Sequence, residues 1–129
     1  MGVLCGVDII EIDRVKKSIE SFNDSFKNKV FTPAEIDYCE ARKTARYNSY
    51  AARFAAKEAI TKALGTGISE GAAWKDIEVL VNEAGAPYVK LSGKCLEFYK
   101  RLGAIDISIS LSHCNTTAVA FAVIQTSRD

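Results

Sequence analysis

Asp8, Glu58, Lys62 and His113 are the residues of this chain whose types and settings suit shared chemistry. Asp8 interrupts an apolar run, Val3-Leu4-Cys5-Gly6-Val7-Asp8-Ile9-Ile10, that reads as a buried strand. A carboxylate there is costly unless it is paired, hydrogen-bonded or bound to metal. The plainer alternative is that the strand ends near Asp8, which then caps or turns. Glu58 and Lys62 stand four apart within Arg53-Phe54-Ala55-Ala56-Lys57-Glu58-Ala59-Ile60-Thr61-Lys62-Ala63-Leu64, a run of good helix formers, so they share one helix face. Alone, such a pair commonly does no more than support its helix. Magnesium is typically held by one or two carboxylates plus phosphate oxygens of a substrate, and lysine is a point-charge partner for phosphate. These residues therefore point to magnesium-assisted chemistry on a phosphate-containing ligand. Neither a G-x-G-x-x-G run nor a Walker lysine loop is present, so dinucleotide and P-loop readings find no support.

The elements that must position these groups follow from pattern. After the first strand, residues 11–22 read as an amphipathic helix with Ile12, Val15, Ile19 and Phe22 on its apolar side. Thr32, Pro33 and Glu35 are the N-cap, first position and third position of a helix running to about Arg42. Residues 43–48 form a polar joint. In the central helix Ala56, Ile60, Ala63 and Leu64 make the buried stripe, and Gly65 is placed to end it. A strand over 74–81, a turn over 82–87 and a return strand over 88–91 follow. Ser92 caps a short helix closed by Gly103. Ile105, Ile107, Ile109 and Leu111 alternate with Asp106, Ser108, Ser110 and Ser112, a strand with one buried face. His113, the only histidine, stands at the tip of that strand, where sites are often carried. Residues 117–125 return as the last strand. Helices mixed with antiparallel hairpins give an α+β class: a single domain over 1–129, with an antiparallel sheet packed on a long central helix.

Bulk composition narrows the classes further. A chain of 129 residues suits one domain, and 48% hydrophobic content supplies a core. A net charge of +1 offers no basic field for nucleic acid. No apolar run reaches membrane-spanning length, and the N-terminus shows no signal-peptide pattern. Cys5, Cys39, Cys95 and Cys114 are widely spaced, with no zinc-ligand spacing, and read as reduced thiols of a cytoplasmic protein.

Three segments in order resemble one family. They are Gly6-Val7-Asp8-Ile9-Ile10-Glu11-Ile12-Asp13-Arg14; Arg53-Phe54-Ala55-Ala56-Lys57-Glu58-Ala59 with Lys62-Ala63-Leu64-Gly65-Thr66-Gly67-Ile68; and Ser110-Leu111-Ser112-His113 followed by Ala118-Val119-Ala120. The family is the phosphopantetheinyl transferases, and the length matches its short single-domain members. The resemblance implies transfer of 4′-phosphopantetheine from coenzyme A to a serine of apo-acyl carrier protein, with adenosine 3′,5′-bisphosphate leaving, in support of fatty acid biosynthesis. It implies that Asp8 and Glu58 hold magnesium against the pyrophosphate and that Lys62 binds a phosphate oxygen. A water oriented by Glu58 or Asp8 would take the serine proton. His113 would bind rather than transfer protons, and Gly65 would let the backbone approach the ligand. Arg53, Lys43 and Arg46 are candidates for coenzyme A phosphates. On a helical wheel, though, Arg53 lies well away from Glu58 and Lys62, which leaves a role across a subunit boundary or a structural ion pair equally open. The turn at Gly85 and Pro87 would reach the adenine from a neighbouring subunit of a homotrimer. Arg14, helped by Lys16 and Lys17, would meet the acidic carrier, although Ser18, Ser21, Phe22 and Asp24 stand where more basic charge is expected.

Two rival readings use the same residues. A magnesium-dependent nucleotide or pyrophosphate hydrolase would consume its ligand without a carrier protein. A non-catalytic binder of an acidic partner would be indifferent to Asp8 and Glu58.

Overall fold

The computed structural model describes residues 1–66 and 72–127; Gly67 and Ile68 of the central motif lie outside the described residues. The chain runs β1 (Gly2–Glu11), α1 (Ile12–Val30), α2 (Pro33–Ala41), α3 (Arg46–Leu64), β2 (Ile77–Val81), β3 (Pro87–Leu91), α4 (Gly93–Arg101), β4 (Ala104–His113) and β5 (Thr117–Thr126). Single 3-10 turns at Lys43–Ala45 and Trp74–Asp76 lead into α3 and β2. The strands form two antiparallel sheets, one ordered β1-β5-β4 and the other the hairpin β2-β3.

Helix α3 lies on one face of the three-stranded sheet, and small residues permit the close approach. Ala55, Ala56, Ala59 and Ala63 of α3 and Ala118, Ala120 and Ala122 of β5 are all buried. Gly6 completes the contact, because a Cβ there would collide with the Ala59 carbonyl oxygen. A second cluster under α1 and α2 holds Ile12, Val15, Ile19, Phe31 and Tyr50.

Local signals placed several elements. Glu35 N–H donates to Thr32 Oγ1 at 3.3 Å and Thr32 N–H donates to Glu35 Oε1 at 2.8 Å, a complete capping box with Pro33 at the helix start. Gly65 takes φ +78 and ends α3 as expected. Other expectations need correction. The polar joint is shorter than expected, and α3 begins at Arg46. Helix α1 continues to Val30, and its apolar stripe passes through Phe26, leaving Phe22 62% exposed. A register shift between Ala104 and Asp106 turns Ile105 outward, so the alternation of β4 buries only from Ile107 onward. Ser92 occupies its N-cap without a side-chain bond; the Asp76 carboxylate accepts from Lys94 N–H at 3.1 Å instead.

Candidate active site

Asp8 does not end its strand. It pairs with Ala120 in mid-ladder, and β1 continues to Glu11. The pleat turns Asp8 toward α3, as it does Gly6 and Ile10. There its carboxylate accepts from Lys62 Nζ at 3.1 Å, and the same ammonium donates to the Val7 carbonyl at 2.9 Å. Glu58 stands one turn back on the same helix. Among the described residues, no ion pair or hydrogen bond reaches its carboxylate. Burial, and next the charge of Asp8, push the Glu58 carboxyl above its ordinary value, with Lys62 opposing. Two neighbouring carboxylates thus face a single lysine. The donors are hard oxygens on rigid elements, a set that fits magnesium completed by phosphate oxygens and water. Among the described residues, no group of three metal-binding side chains occurs.

The other expected site residues lie elsewhere. Arg53 is buried, 4% exposed, on the far side of α3. Among the described residues it has no carboxylate partner, and its Nε has no hydrogen-bond partner. Its guanidinium instead lies 4.2 Å from the Tyr38 ring centroid. Together with Gly85, Pro87 and Ser110 it lines a cavity of about 280 Å³. Pro87 opens β3, and Gly85 takes φ +85 in the preceding turn, which Asn82 Oδ1 braces by accepting from the Ala84 and Ala86 N–H groups. His113 is the exposed last residue of β4, paired with Ala118 and on the helix-facing side. Strand β5 separates it from the strand of Asp8, two strand spacings or about 10 Å.

The expected coenzyme A residues therefore fall into two groups. Asp8, Glu58, Lys62 and Gly65 sit toward the β1 edge of the sheet. Arg53, Pro87 and His113 sit toward the β4 edge. Arg46 opens α3 seven residues before Arg53, hence on Arg53's face. It donates to the Lys43 carbonyl at 3.0 Å and lies over the Tyr47 ring. Lys43 takes φ +54 in the turn before it. Nothing crowds Gly65, so its αL conformation is what requires glycine there.

The three cations of α1 also diverge. Lys17 pairs with Asp13 at 2.9 Å and Lys16 lies over the Tyr47 ring. Arg14 is exposed, with no ion pair among the described residues, and shares a small cavity with Ile10, Phe26 and Phe54. Sequence reasoning missed Tyr38 and Arg42. Their i,i+4 spacing on one helix was the available signal, since Arg42 lies 5.7 Å from the same Tyr38 ring. It also missed Lys57. That residue is fully buried, donating to Glu35 Oε1 at 2.7 Å and to the Val30 and Trp74 carbonyls at 2.6 and 3.2 Å. Burial holds its amine below the ordinary lysine value against the pull of Glu35.

A half-buried carboxylate pair with one lysine, on an α+β scaffold, is a donor set that phosphoryl-transfer chemistry can use. Residues 4–123 match the model of the 4′-phosphopantetheinyl transferase superfamily, and the chain belongs to that superfamily. It is 59% identical over 124 residues to the holo-[acyl-carrier-protein] synthase of Ruminiclostridium cellulolyticum, covering 96% of this chain and 92% of that protein. It is 48% identical over 120 residues to the Clostridium botulinum holo-[acyl-carrier-protein] synthase, covering 93% and 94%. Among solved structures, it resembles the Helicobacter pylori holo-[acyl-carrier-protein] synthase in complex with coenzyme A. The TM-score is 0.83 at 30% identity, over 95% of this chain and 100% of that one. Among the described residues, no helix is long and apolar enough to cross a membrane.

Proposed function

We propose that this chain transfers the 4′-phosphopantetheine group of coenzyme A to a serine of apo-acyl carrier protein, with Asp8 and Glu58 as metal ligands and Lys62 as the phosphate-binding cation. Membership of the transferase superfamily, and the likeness to holo-[acyl-carrier-protein] synthases across nearly the whole chain, give the reaction class. The observation that carries the residue assignment is the charge imbalance at Asp8, Glu58 and Lys62.

The serine oxygen attacks the phosphorus that bears pantetheine. Its bond to the bridging oxygen breaks, and adenosine 3′,5′-bisphosphate leaves with the electron pair. The serine proton passes to a water oriented by Glu58 or Asp8. Lys62 places one positive charge where negative charge grows, and its bond to the Val7 carbonyl pre-orients it. Asp8 and Glu58 would hold magnesium, which when bound would supply Lewis-acid neutralisation of the pyrophosphate charge.

The pyrophosphate belongs at this edge, so the ribose phosphate is what remains for Arg53, with Arg46 and His113 near the same edge and Pro87 beside the adenine. The two groups of residues lie toward opposite edges of the sheet, an arrangement that suits one coenzyme A bound across a subunit boundary. That supports a homotrimer with sites between subunits. The outer face of the sheet supports it too, since Val3, Val7, Ile9 and Phe121 are 66%, 52%, 69% and 44% exposed there. Arg14 is the leading contact for the acidic carrier, with Lys17 weakened by its pairing with Asp13. The product carrier serves fatty acid biosynthesis.

Intact mass of an apo-acyl carrier protein after incubation with this protein, coenzyme A and magnesium tests the assignment. The carrier gains a phosphopantetheine-sized mass, and chelation abolishes the gain. Coenzyme A cleaved without any gain would instead establish a hydrolase. Activity that survives both Asp8→Asn and Glu58→Gln would sink the residue roles.

A further inference from the structure

We infer that Tyr38 is a positioning residue for coenzyme A recognition: its ring holds the Arg53 guanidinium, which no described carboxylate pairs, against the cavity that Gly85 and Pro87 line. The inference rests on the reading of Arg53 as the ligand of the ribose phosphate.

An arginine that is 4% exposed ordinarily has an acid beside its guanidinium, because an unpaired buried charge is costly. Lys57, one turn along α3, follows that rule with Glu35. Arg53 does not. No described carboxylate pairs with it, and its Nε has no partner. What it has is the face of Tyr38 at 4.2 Å. The chemical difference between the two kinds of partner decides the role. A carboxylate would occupy the N–H edge of the guanidinium and cancel its charge. An aromatic ring engages only the flat face, leaving charge and N–H donors for a ligand. Tyr38 also carries Arg42, which lies 5.7 Å from the ring centroid and donates to its hydroxyl at 3.4 Å. Two cations thus share one ring, and among the described residues neither has an ion pair. Both Tyr38 and Arg53 line the cavity, beside the left-handed turn residue Gly85. The one charged residue lining this cavity is the cationic Arg53, which suits a phosphate monoester.

The test is steady-state kinetics at saturating carrier and magnesium, varying coenzyme A or its analogue lacking the ribose phosphate. The variants are Tyr38→Phe, Tyr38→Ala, Arg53→Gln and the double Tyr38→Ala/Arg53→Gln. Tyr38→Ala raises KM for coenzyme A about tenfold, within reach of a partly desolvated cation–π contact, and leaves kcat within about twofold. Tyr38→Phe keeps the ring and stays at the unmodified KM. KM for the analogue does not respond to Tyr38→Ala, and the double variant is no worse than Arg53→Gln. Tyr38→Leu, which fills similar space without a π face, takes the place of alanine if that variant fails to fold. A KM that rises equally for both substrates, or effects that add in the double variant, would overturn the inference, since Tyr38 would then act on its own. A KM unmoved by Tyr38→Ala while Arg53→Gln raises it would overturn the inference alone. A KM unmoved by Arg53→Gln would overturn the ribose-phosphate reading and this inference with it.

Discussion

Lys57 and Glu58 are adjacent in sequence and meet opposite fates. Lys57 is fully buried and satisfied: its ammonium meets Glu35 and two carbonyls, and Glu35 also accepts from the N–H groups of Thr32 and Val79. That network joins the end of α1, the start of α2, α3 and β2. Glu58 is half-buried and pushed toward protonation by burial and by Asp8. The contrast separates two uses of the same chemistry. A closed polar network determines how elements pack. An open one stores unfavourable charge until a ligand relieves it, and such imbalance concentrates at functional sites.

The largest effect is expected at the closed network. Lys57→Met leaves Glu35 as a buried carboxylate without its cation and costs about 3–5 kcal/mol, read as a lower urea midpoint. Adding Glu35→Gln to it recovers part of the loss. A Lys57→Met protein as stable as the parent would break the comparison at its root.

At the open site the signs reverse. Glu58→Gln lowers kcat by about a hundredfold or more, the scale for losing an electrostatic partner of the transition state. Yet it raises the melting temperature of the metal-free protein at neutral pH. The folded-state pKa of Glu58 lies above its unfolded value, so ionising it costs stability at pH values above the folded pKa. Below the unfolded pKa both states are protonated and the variant loses its advantage. A melting temperature that falls at neutral pH would show Glu58 to be a structural carboxylate like Glu35.

Gly6→Ala sharpens the comparison by moving β1, which carries Asp8, away from α3. It costs about 1–3 kcal/mol by overpacking and lowers the affinity for magnesium measured calorimetrically with coenzyme A present. Loss of stability with unchanged metal affinity would mean that Asp8 and Glu58 are positioned independently of that contact.

The smallest effect lies at Glu40, whose carboxyl is held below its ordinary value first by the Tyr50 hydroxyl at 2.6 Å and then by Lys27. It is 43% exposed, so solvent screening limits Glu40→Gln to about 1 kcal/mol at neutral pH. A depressed folded pKa contributes stability above the unfolded value and loses it as pH falls through the folded one. The gap between variant and parent therefore closes in acid. A gap that persists at low pH would assign the loss to packing rather than charge.

Local chemistry made much of this protein legible from its residues. Thr32, Pro33 and Glu35 specify their helix start because every partner lies within four positions, and Gly65 ends α3 for the same reason. The alternation in β4 marked its buried face through Ile107, Ile109 and Leu111. Three motifs in order sufficed for the superfamily; of the expected polar centre, Asp8, Glu58 and Lys62 come together, while His113 stands two strands away from Asp8.

Other features depended on partners far along the chain. That Asp8 stays in mid-strand follows from pairing with Ala120, and the outward turn of Ile105 follows from a ladder shift against β5. Lys57 stands three and seven residues before Ile60 and Leu64, on the buried face, but its partners, Glu35 and the Val30 and Trp74 carbonyls, lie in other segments and make it a buried strut. Tyr38 meets Arg53, and Pro87 shares a cavity with both, because α2, α3 and the β2-β3 hairpin converge on it. Residue type and short spacing determine helix starts, turns and strand faces, since those bonds close within a few residues. Which charge is neutralised, and which stays open for a ligand, is decided by contacts between distant segments that exist only once the sheet and helices have packed.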